Sequence, residues 1–234
     1  MALVILAVLL QGAPCTSEGA SRLAAASARA AAFDLAGAAE AYAAAAASGC
    51  EGGVPARYLR GLLAARAAYA QGGSPESLEP VREAIAALEA RGAAAAGAQI
   101  ARFVLLAAAA AAQSERDEMA LMIDQAMRLE AVQLAAGQPG APAVTAHEIA
   151  GDLWFQVHRY EDARRAYMIA AERVGRTARV TLGLARTAAR LADMPGACLE
   201  YRALVNGRTA APGEPPELRE ARAFIEQPSC ADPQ

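Results

Sequence analysis

Hydrophobic residues recur along this chain at steps of three and four, the spacing of one face of an α-helix. In the stretch RYEDARRAYMIAAERVG, Tyr160, Ala163, Tyr167 and Ala170 share one face, and charged residues occupy the other. No segment shows the sustained alternation of apolar and polar residues that is typical of a strand. The pattern therefore predicts an all-α fold in which each amphipathic helix packs against a neighbour.

Clusters of glycine and proline divide this pattern into eleven predicted helices. Thr145 followed three residues later by Glu148 predicts a capping box at the start of one of them. The helices are predicted at residues 18–32, 36–48, 54–71, 77–91, 94–113, 115–135, 145–157, 160–174, 177–192, 195–206 and 216–227.

Two segments repeat with an offset of 34 residues. Aligning residues 150–170 with 184–204 places Ala163 on Ala197 and Tyr167 on Tyr201. Near the N-terminus, the stretch DLAGAAEAY shares its Asp, Gly, Ala and Tyr with DMPGACLEY, which predicts a third copy at about residues 19–50. Because a single helical hairpin cannot bury its apolar faces, we expect the copies to stack.

This repeat resembles the tetratricopeptide repeat (TPR) family, whose Leu-Gly-x2-Tyr step reads Ala150-Gly151-x2-Trp154 here and whose Ala-x3-Phe step reads Ala163-x3-Tyr167. The resemblance implies a right-handed α-α superhelix, a TPR-like solenoid of about five helix pairs with a C-terminal capping helix. We expect an export segment at 1–15, degenerate helical repeats at 16–143, two TPR-like repeats at 144–208, and the capping helix with its tail at 209–234.

Composition argues against most enzyme classes. All 22 basic residues are Arg, so chemistry that needs a lysine amine is excluded, and the formal charge of −3 gives no general attraction to nucleic acid. His147 and His158 lie roughly 16 Å apart along one predicted helix, too far to share a metal, and are interpreted as surface or packing residues. We therefore expect a non-enzymatic protein without a cofactor.

The first residues resemble a signal peptide. Leu3 to Leu10 form an apolar run that suits the core of such a peptide and is too short to span a bilayer, although no basic residue precedes it. This predicts export to the periplasm or beyond, with no membrane span in the mature chain. If Met1–Leu10 is not a signal, the chain is cytoplasmic.

Four cysteines allow three disulfide pairings. An antiparallel hairpin brings Cys50 back beside Cys15, and a capping helix returning in the same way brings Cys230 to Cys198. The geometry thus favours Cys15–Cys50 and Cys198–Cys230, provided that Cys15 is not removed with the signal peptide. The alternative is that Cys198 is a small core residue and the others are free thiols, as a reducing cytosol favours.

Charge is distributed unevenly, and this suggests a site. Residues 115–152 carry seven acids and two Arg, whereas 159–208 carry ten Arg and five acids. The TPR resemblance implies that extended peptides bind a concave surface lined by the first helix of each pair. On this sequence we place there Glu148, Asp152, Phe155, Arg179, Arg186 and Arg190.

The three arginines of that set share one helical stripe, at steps of seven and four residues, and bidentate guanidinium groups suit carboxylates. The sequence therefore predicts a protein-interaction scaffold whose partner is an acidic or C-terminal peptide segment. The alternative for the stripe is a solvated face on which Asp152 and Arg186 form a surface ion pair. The alternatives for the chain are a small-ligand receptor or enzyme with a pocket between helices, or a purely architectural subunit.

Overall fold

The computed structural model describes residues 15–91, 97–138, 140–206 and 213–230, and there the chain is helical with no strand. The eleven predicted helices are all present, and each begins and ends within four residues of its predicted limits. The helices are α1 (Ser17–Ala31), α2 (Leu35–Ala47), α3 (Gly53–Ala70), α4 (Glu79–Glu89), α5 (Ala98–Ala112), α6 (Arg116–Ala135), α7 (Ala146–Gln156), α8 (Tyr160–Val174), α9 (Ala178–Arg190), α10 (Met194–Val205) and α11 (Pro216–Ile225).

The helices pack in chain order as five hairpins, α1–α2, α3–α4, α5–α6, α7–α8 and α9–α10, followed by α11. The first helices of successive hairpins also touch, since α3 contacts α5, α5 contacts α7 and α7 contacts α9. Helix α11 packs on α10 and covers the last hairpin. This arrangement is that of a helical array, in which each unit buries its apolar face against its neighbours.

One helix-ending geometry recurs in all five hairpins. The first helix of each ends with a residue in the left-handed region, at Phe33, Gly72, Ser114, His158 and Ala192. The next residue donates its backbone N–H to the carbonyl five positions back, as Asp193 does to Ala188 at 2.9 Å. This is the helix-ending Schellman motif, which satisfies carbonyls that the helix leaves unpaired. In four of the hairpins a three-residue connection contains this motif, whereas eight residues join α3 to α4. The shared motif supports the repeat that the sequence predicted only in part.

The predicted correspondence between the first and last hairpins is confirmed at the start of their second helices. Asp34 accepts a hydrogen bond from the N–H of Gly37 at 2.8 Å, and Asp193 accepts one from Gly196 at 3.0 Å. Each aspartate is therefore the N-cap of its helix. The matched tyrosine of the last hairpin, Tyr201, is buried, as is its counterpart in the first.

Tyr167 fills the space between two neighbouring hairpins. Its ring lies between the backbones of Gly151 on α7 and Gly183 on α9. A Cβ atom at Gly151 would sit 2.5 Å from the ring, and one at Gly183 would be closer still. Glycine is required at both positions because any larger residue would push α7, α8 and α9 apart.

The buried apolar residues form one large cluster that runs from α1 to α8 and smaller clusters around α8–α9 and α9–α11. Alanine supplies much of this core, which lets the helix axes approach closely. Phe33, in the turn of the first hairpin, packs against the cluster formed by α9, α10 and α11. The first and last hairpins therefore meet across the inner side of the array.

Two disulfides join the predicted cysteine pairs, Cys15–Cys50 and Cys198–Cys230. The first fastens the start of α1 to the end of α2, and the second fastens α10 to the segment after α11. Among the helices that the structure describes, none is both long and apolar enough to cross a membrane. The predicted signal core, Leu3 to Leu10, lies outside the described residues.

Candidate functional site

A cavity of about 310 Å³ opens on the inner side of the array. Side chains from α3, α7, α9 and α11 line it, joined by Phe33 from the turn of the first hairpin. Its wall is apolar at Phe33, Phe155 and Leu182. Gln156, Gly183 and Tyr167 of α8 add uncharged surface. The charged lining residues are Arg66, Asp152, Arg179, Arg186 and Glu217.

A second cavity of about 300 Å³ adjoins the first, with Phe155 and Arg186 in the walls of both. It is lined further by Ala189 and Arg190 at the end of α9 and by side chains of α10 and α11. The two cavities form a single groove along α9, which we call the inner groove. Phe155, at its centre, is held by an edge contact with Tyr160, whose ring centroid lies 5.3 Å away.

Asp152 connects several polar residues of the inner groove. Its carboxylate accepts a hydrogen bond from the hydroxyl of Tyr167 at 2.6 Å, one from Arg66 at 2.9 Å and one from Arg179 at 3.1 Å. Burial alone would raise the pKa of Asp152, but the two guanidinium groups and the Tyr167 hydroxyl hold it below its usual value. Asp152 is therefore ionised, and it links α3, α7, α8 and α9.

Arg179 is buried, with 11% of its side chain exposed, and it pairs with two carboxylates. Its Nε atom lies 2.5 Å from Glu148, and its Nη2 atom binds Asp152. Burial raises the pKa of Glu148, and the nearby Asp152 raises it further, although Arg179 opposes both. Such a buried pair serves to fix α7 against α9 rather than to offer a free cation.

Arg186 pairs with Glu220 rather than with Asp152, so the predicted Asp152–Arg186 ion pair does not form. Its guanidinium group binds both oxygens of Glu220, at 2.8 and 2.5 Å, and the hydroxyl of Tyr201 donates to the same carboxylate at 2.8 Å. The Arg186 hydrogen bonds lower the pKa of Glu220. The two residues are 34 positions apart, so the repeat spacing continues from α9 into α11.

The structure brings the six predicted site residues to one side of α7 and α9, but it divides them by role. Glu148 and Arg179 are buried structural partners. Arg179 also lines the inner groove, together with Phe155, Asp152, Arg186 and Arg190. Arg190 is exposed and has no ion pair or hydrogen bond with a described residue. Within the described chain, the stripe of three arginines therefore offers one guanidinium group without a partner, not three.

Two features escaped the sequence analysis because their partners are distant in the chain. Arg66 reaches Asp152 from α3, 86 residues away. Glu130 is fully buried beside α7, where it accepts hydrogen bonds from the N–H of Ala146 at 3.0 Å and binds His147 Nδ1 at 3.0 Å. Of the two interpretations offered for His147, a surface residue or a packing residue, the structure supports the second.

The predicted capping box at Thr145 is half formed. The Thr145 hydroxyl accepts the N–H of Glu148 at 3.2 Å, as expected. The Glu148 side chain pairs with Arg179 instead of returning to the helix start. A buried guanidinium partner competes with the local cap, and sequence spacing alone cannot reveal that competitor.

Among the described residues, no three His, Cys, Asp or Glu side chains come close enough to hold a metal ion. The chain was also compared with known proteins. It matches no family model, no curated protein and no solved structure. Its function must therefore be argued from the inner groove itself.

Proposed function

We propose that this chain is a non-enzymatic protein-interaction scaffold that binds an extended peptide segment in the inner groove. The observation that carries the proposal is the shape of this groove. Two cavities of about 310 and 300 Å³ adjoin along one helix instead of forming a single closed chamber. Such a trough suits a chain that lies along it, with Phe155 at its middle as an apolar contact.

We also propose that the helical array is a right-handed, TPR-like superhelix. Three observations support this assignment: the shared motif that ends the first helix of all five hairpins, the ring of Tyr167 between Gly151 and Gly183, and the 34-residue spacing that relates Arg186 to Glu220. The inner groove is lined mainly by the first helices of the hairpins, which is the surface that the resemblance implies for peptide binding.

Export is part of the same proposal. Two disulfides fasten the two ends of the array, and disulfides persist in oxidising compartments. Non-reducing peptide mapping of protein from its native host tests this. We expect Cys198 and Cys230 to be linked. Free thiols at both positions, in protein that retains Met1 in the soluble cytosolic fraction, would overturn it.

The groove assignment is tested by filling the groove. Peptides selected from a displayed random library on the parent protein are measured by fluorescence anisotropy against two variants. Ala189→Trp places a large side chain in the second cavity, and Ala203→Trp, the matched control, places one at an exposed position of α10 that lines neither cavity. We expect Ala189→Trp to weaken binding roughly tenfold or more and Ala203→Trp to leave it unchanged. Equal binding by both variants would contradict the assignment.

A small-ligand receptor remains the second candidate, because Arg66, Arg179 and Arg186 converge on the first cavity. Its volume of about 310 Å³ lies at the lower end of small-molecule sites. Each of these arginines already has a carboxylate partner, which leaves little unbalanced charge for a small anion. A library that yields no groove-dependent peptide, together with a small carboxylate that stabilises the fold, would favour this candidate.

A further inference from the structure

Most charges of the inner groove are neutralised within the protein. Arg66 pairs with Asp152, Arg179 with Glu148 and Asp152, and Arg186 with Glu220. A ligand that approached these residues would have to displace hydrogen bonds already formed. They therefore shape the groove but offer little net charge for recognition.

Two charged residues of the groove are not part of these ion pairs. Glu217 lines the first cavity and Arg190 the second, and neither has an ion pair with any residue that the structure describes. Glu217 is half-buried and Arg190 is exposed. The groove therefore presents one unpaired carboxylate towards one end and one unpaired guanidinium group towards the other.

The distance between these two charges follows from the helices that carry them. The Arg186–Glu220 pair fixes α9 and α11 side by side. Glu217 lies three positions before this pair, and Arg190 lies four positions after it. The short turn between α9 and α10 and the Cys198–Cys230 disulfide make α9 and α11 both antiparallel to α10. Along their common direction, the backbone positions of the two charges are offset by seven residues, or roughly 10 Å.

An apolar floor lies between the two charges. Phe155 belongs to both cavities, and Phe33 and Leu182 belong to the first. Phe33 adopts the left-handed conformation, with φ of 71°, which is unfavourable for an aromatic residue. Its position brings an aromatic ring from the first hairpin into the groove.

Resting on the proposed function, we propose that the groove binds its peptide in one direction and reads three features of it. These are a basic side chain beside Glu217, an apolar side chain on Phe155, and a carboxylate beside Arg190. An extended peptide advances about 3.3 Å per residue, so a span of roughly 10 Å places the basic and acidic residues three positions apart. A reversed peptide would bring like charges together at both ends.

This refines the expectation of a purely acidic partner. A polyacidic segment would meet Glu217 and the internally satisfied pairs. Among the arginines that line the groove, Arg190 alone has no partner in the described part of the chain. A segment with one charge of each sign complements both ends of the groove. Electrostatic complementarity of this kind sets orientation and specificity more than it sets affinity.

The experiment selects twelve-residue peptides from a displayed random library on two forms of the full chain. One is the parent protein, and the other is the single variant Glu217→Arg, which places a guanidinium group at both ends of the groove. The tightest peptide from the parent is then synthesised with capped ends, together with a version in which its basic residue is replaced by Glu. Both synthetic peptides are titrated into both proteins by fluorescence anisotropy at low salt, where screening is weakest.

We expect the parent to select a basic and an acidic residue three positions apart, in either order along the peptide, with an apolar residue between them. The Glu-substituted peptide should bind the parent about tenfold more weakly, and Glu217→Arg should reverse this preference. Selected peptides without one charge of each sign at this spacing, or a preference that Glu217→Arg retains, would overturn the proposal. The proposed function would still stand if Ala189→Trp abolished their binding. If no peptide is selected at all, both proposals fail.

Discussion

The hydroxyl of Tyr167 donates a 2.6 Å hydrogen bond to the carboxylate of Asp152. Tyr167 packs between two hairpins, and Asp152 binds the charged residues of the inner groove, so this hydrogen bond connects the packing of the helices to the groove. Because the Tyr167 ring is enclosed by Gly151 and Gly183, the hydroxyl cannot move away from Asp152 without moving a helix. Packing of the array and geometry of the groove are thus coupled through a single side chain.

Tyr167→Phe tests this coupling. The variant keeps the ring and removes the hydroxyl, so Asp152 loses a partner for its charge. We expect a loss of about 1.5–3 kcal/mol in the free energy of unfolding, measured by urea denaturation. Tyr69→Phe is the control, because the Tyr69 hydroxyl is exposed and lies 3.4 Å from its acceptor. The control should change stability by less than about 0.5 kcal/mol, and an equal effect of both changes would contradict the coupling.

Arg179 and Arg190 lie on the same stripe of α9, but the structure assigns them opposite roles. Arg179→Ala leaves the buried Glu148 without its cation and removes one of the two guanidinium partners of Asp152, so it should destabilise the protein by about 3–5 kcal/mol. Arg190→Ala removes an exposed side chain and should cost less than about 0.5 kcal/mol. Thermal denaturation of the two variants measures the difference. Similar melting temperatures would show that Arg179 is not a structural cation.

The contrast between Arg179 and Arg190 shows which features of the site can be predicted from the sequence. The spacing of Arg179, Arg186 and Arg190 correctly predicted a common helical face, because helical periodicity fixes it. It could not predict which of them are paired. The partner of Arg186 is on α11, and Asp152 is also bound from α3, so both pairings depend on how the array curves.

The fold was more predictable than the site, for local reasons. Helix limits follow from caps and glycine turns within a few residues, and the two disulfides follow from the return path of an antiparallel hairpin. The recurrent turn was harder to recognise. Four of its five left-handed positions are not glycine but Phe33, Ser114, His158 and Ala192, which do not mark such turns in a sequence.

That recurrent turn provides a stability prediction. Ala192 is held at φ of 60°, which is strained for a residue with a Cβ atom. Ala192→Gly relieves this strain and should stabilise the protein by about 0.5–1 kcal/mol. Ala203→Gly, inside helix α10, is the matched control and should destabilise by about 1 kcal/mol. Calorimetric melting temperatures should move in opposite directions. A shift of both in the same direction would argue against strain at Ala192.

The two glutamates that pair with arginines of the groove, Glu220 and Glu148, should respond to pH with opposite sign. Hydrogen bonds from Arg186 lower the pKa of Glu220, so its ionised form contributes stability that is present above the ordinary glutamate pKa and is lost as pH falls through the lower folded value. Burial raises the pKa of Glu148, so its contribution is present at low pH and is lost as pH rises through the raised folded value.

Matched Glu→Gln variants separate these effects in urea titrations between pH 3 and 7. The cost of Glu220→Gln should be greatest at pH 7 and should shrink as the pH falls below about 4.3. The cost of Glu148→Gln should instead be smaller at pH 7 than at acidic pH, because glutamine avoids the burial of a charge. Parallel pH profiles for the two variants would contradict the opposite pKa directions.

The central claim, that a peptide lies in the inner groove, is tested most directly by mapping amide chemical shifts of the isotope-labelled protein as a selected peptide is added. We expect the largest changes at Phe155, Leu182 and Arg190, with lesser changes along α11. The exposed residues Met168 on α8 and Leu199 on α10 should not respond. Changes centred on Met168 and Leu199, with Phe155 and Arg190 unmoved, would place the binding surface on the second helices and contradict the account.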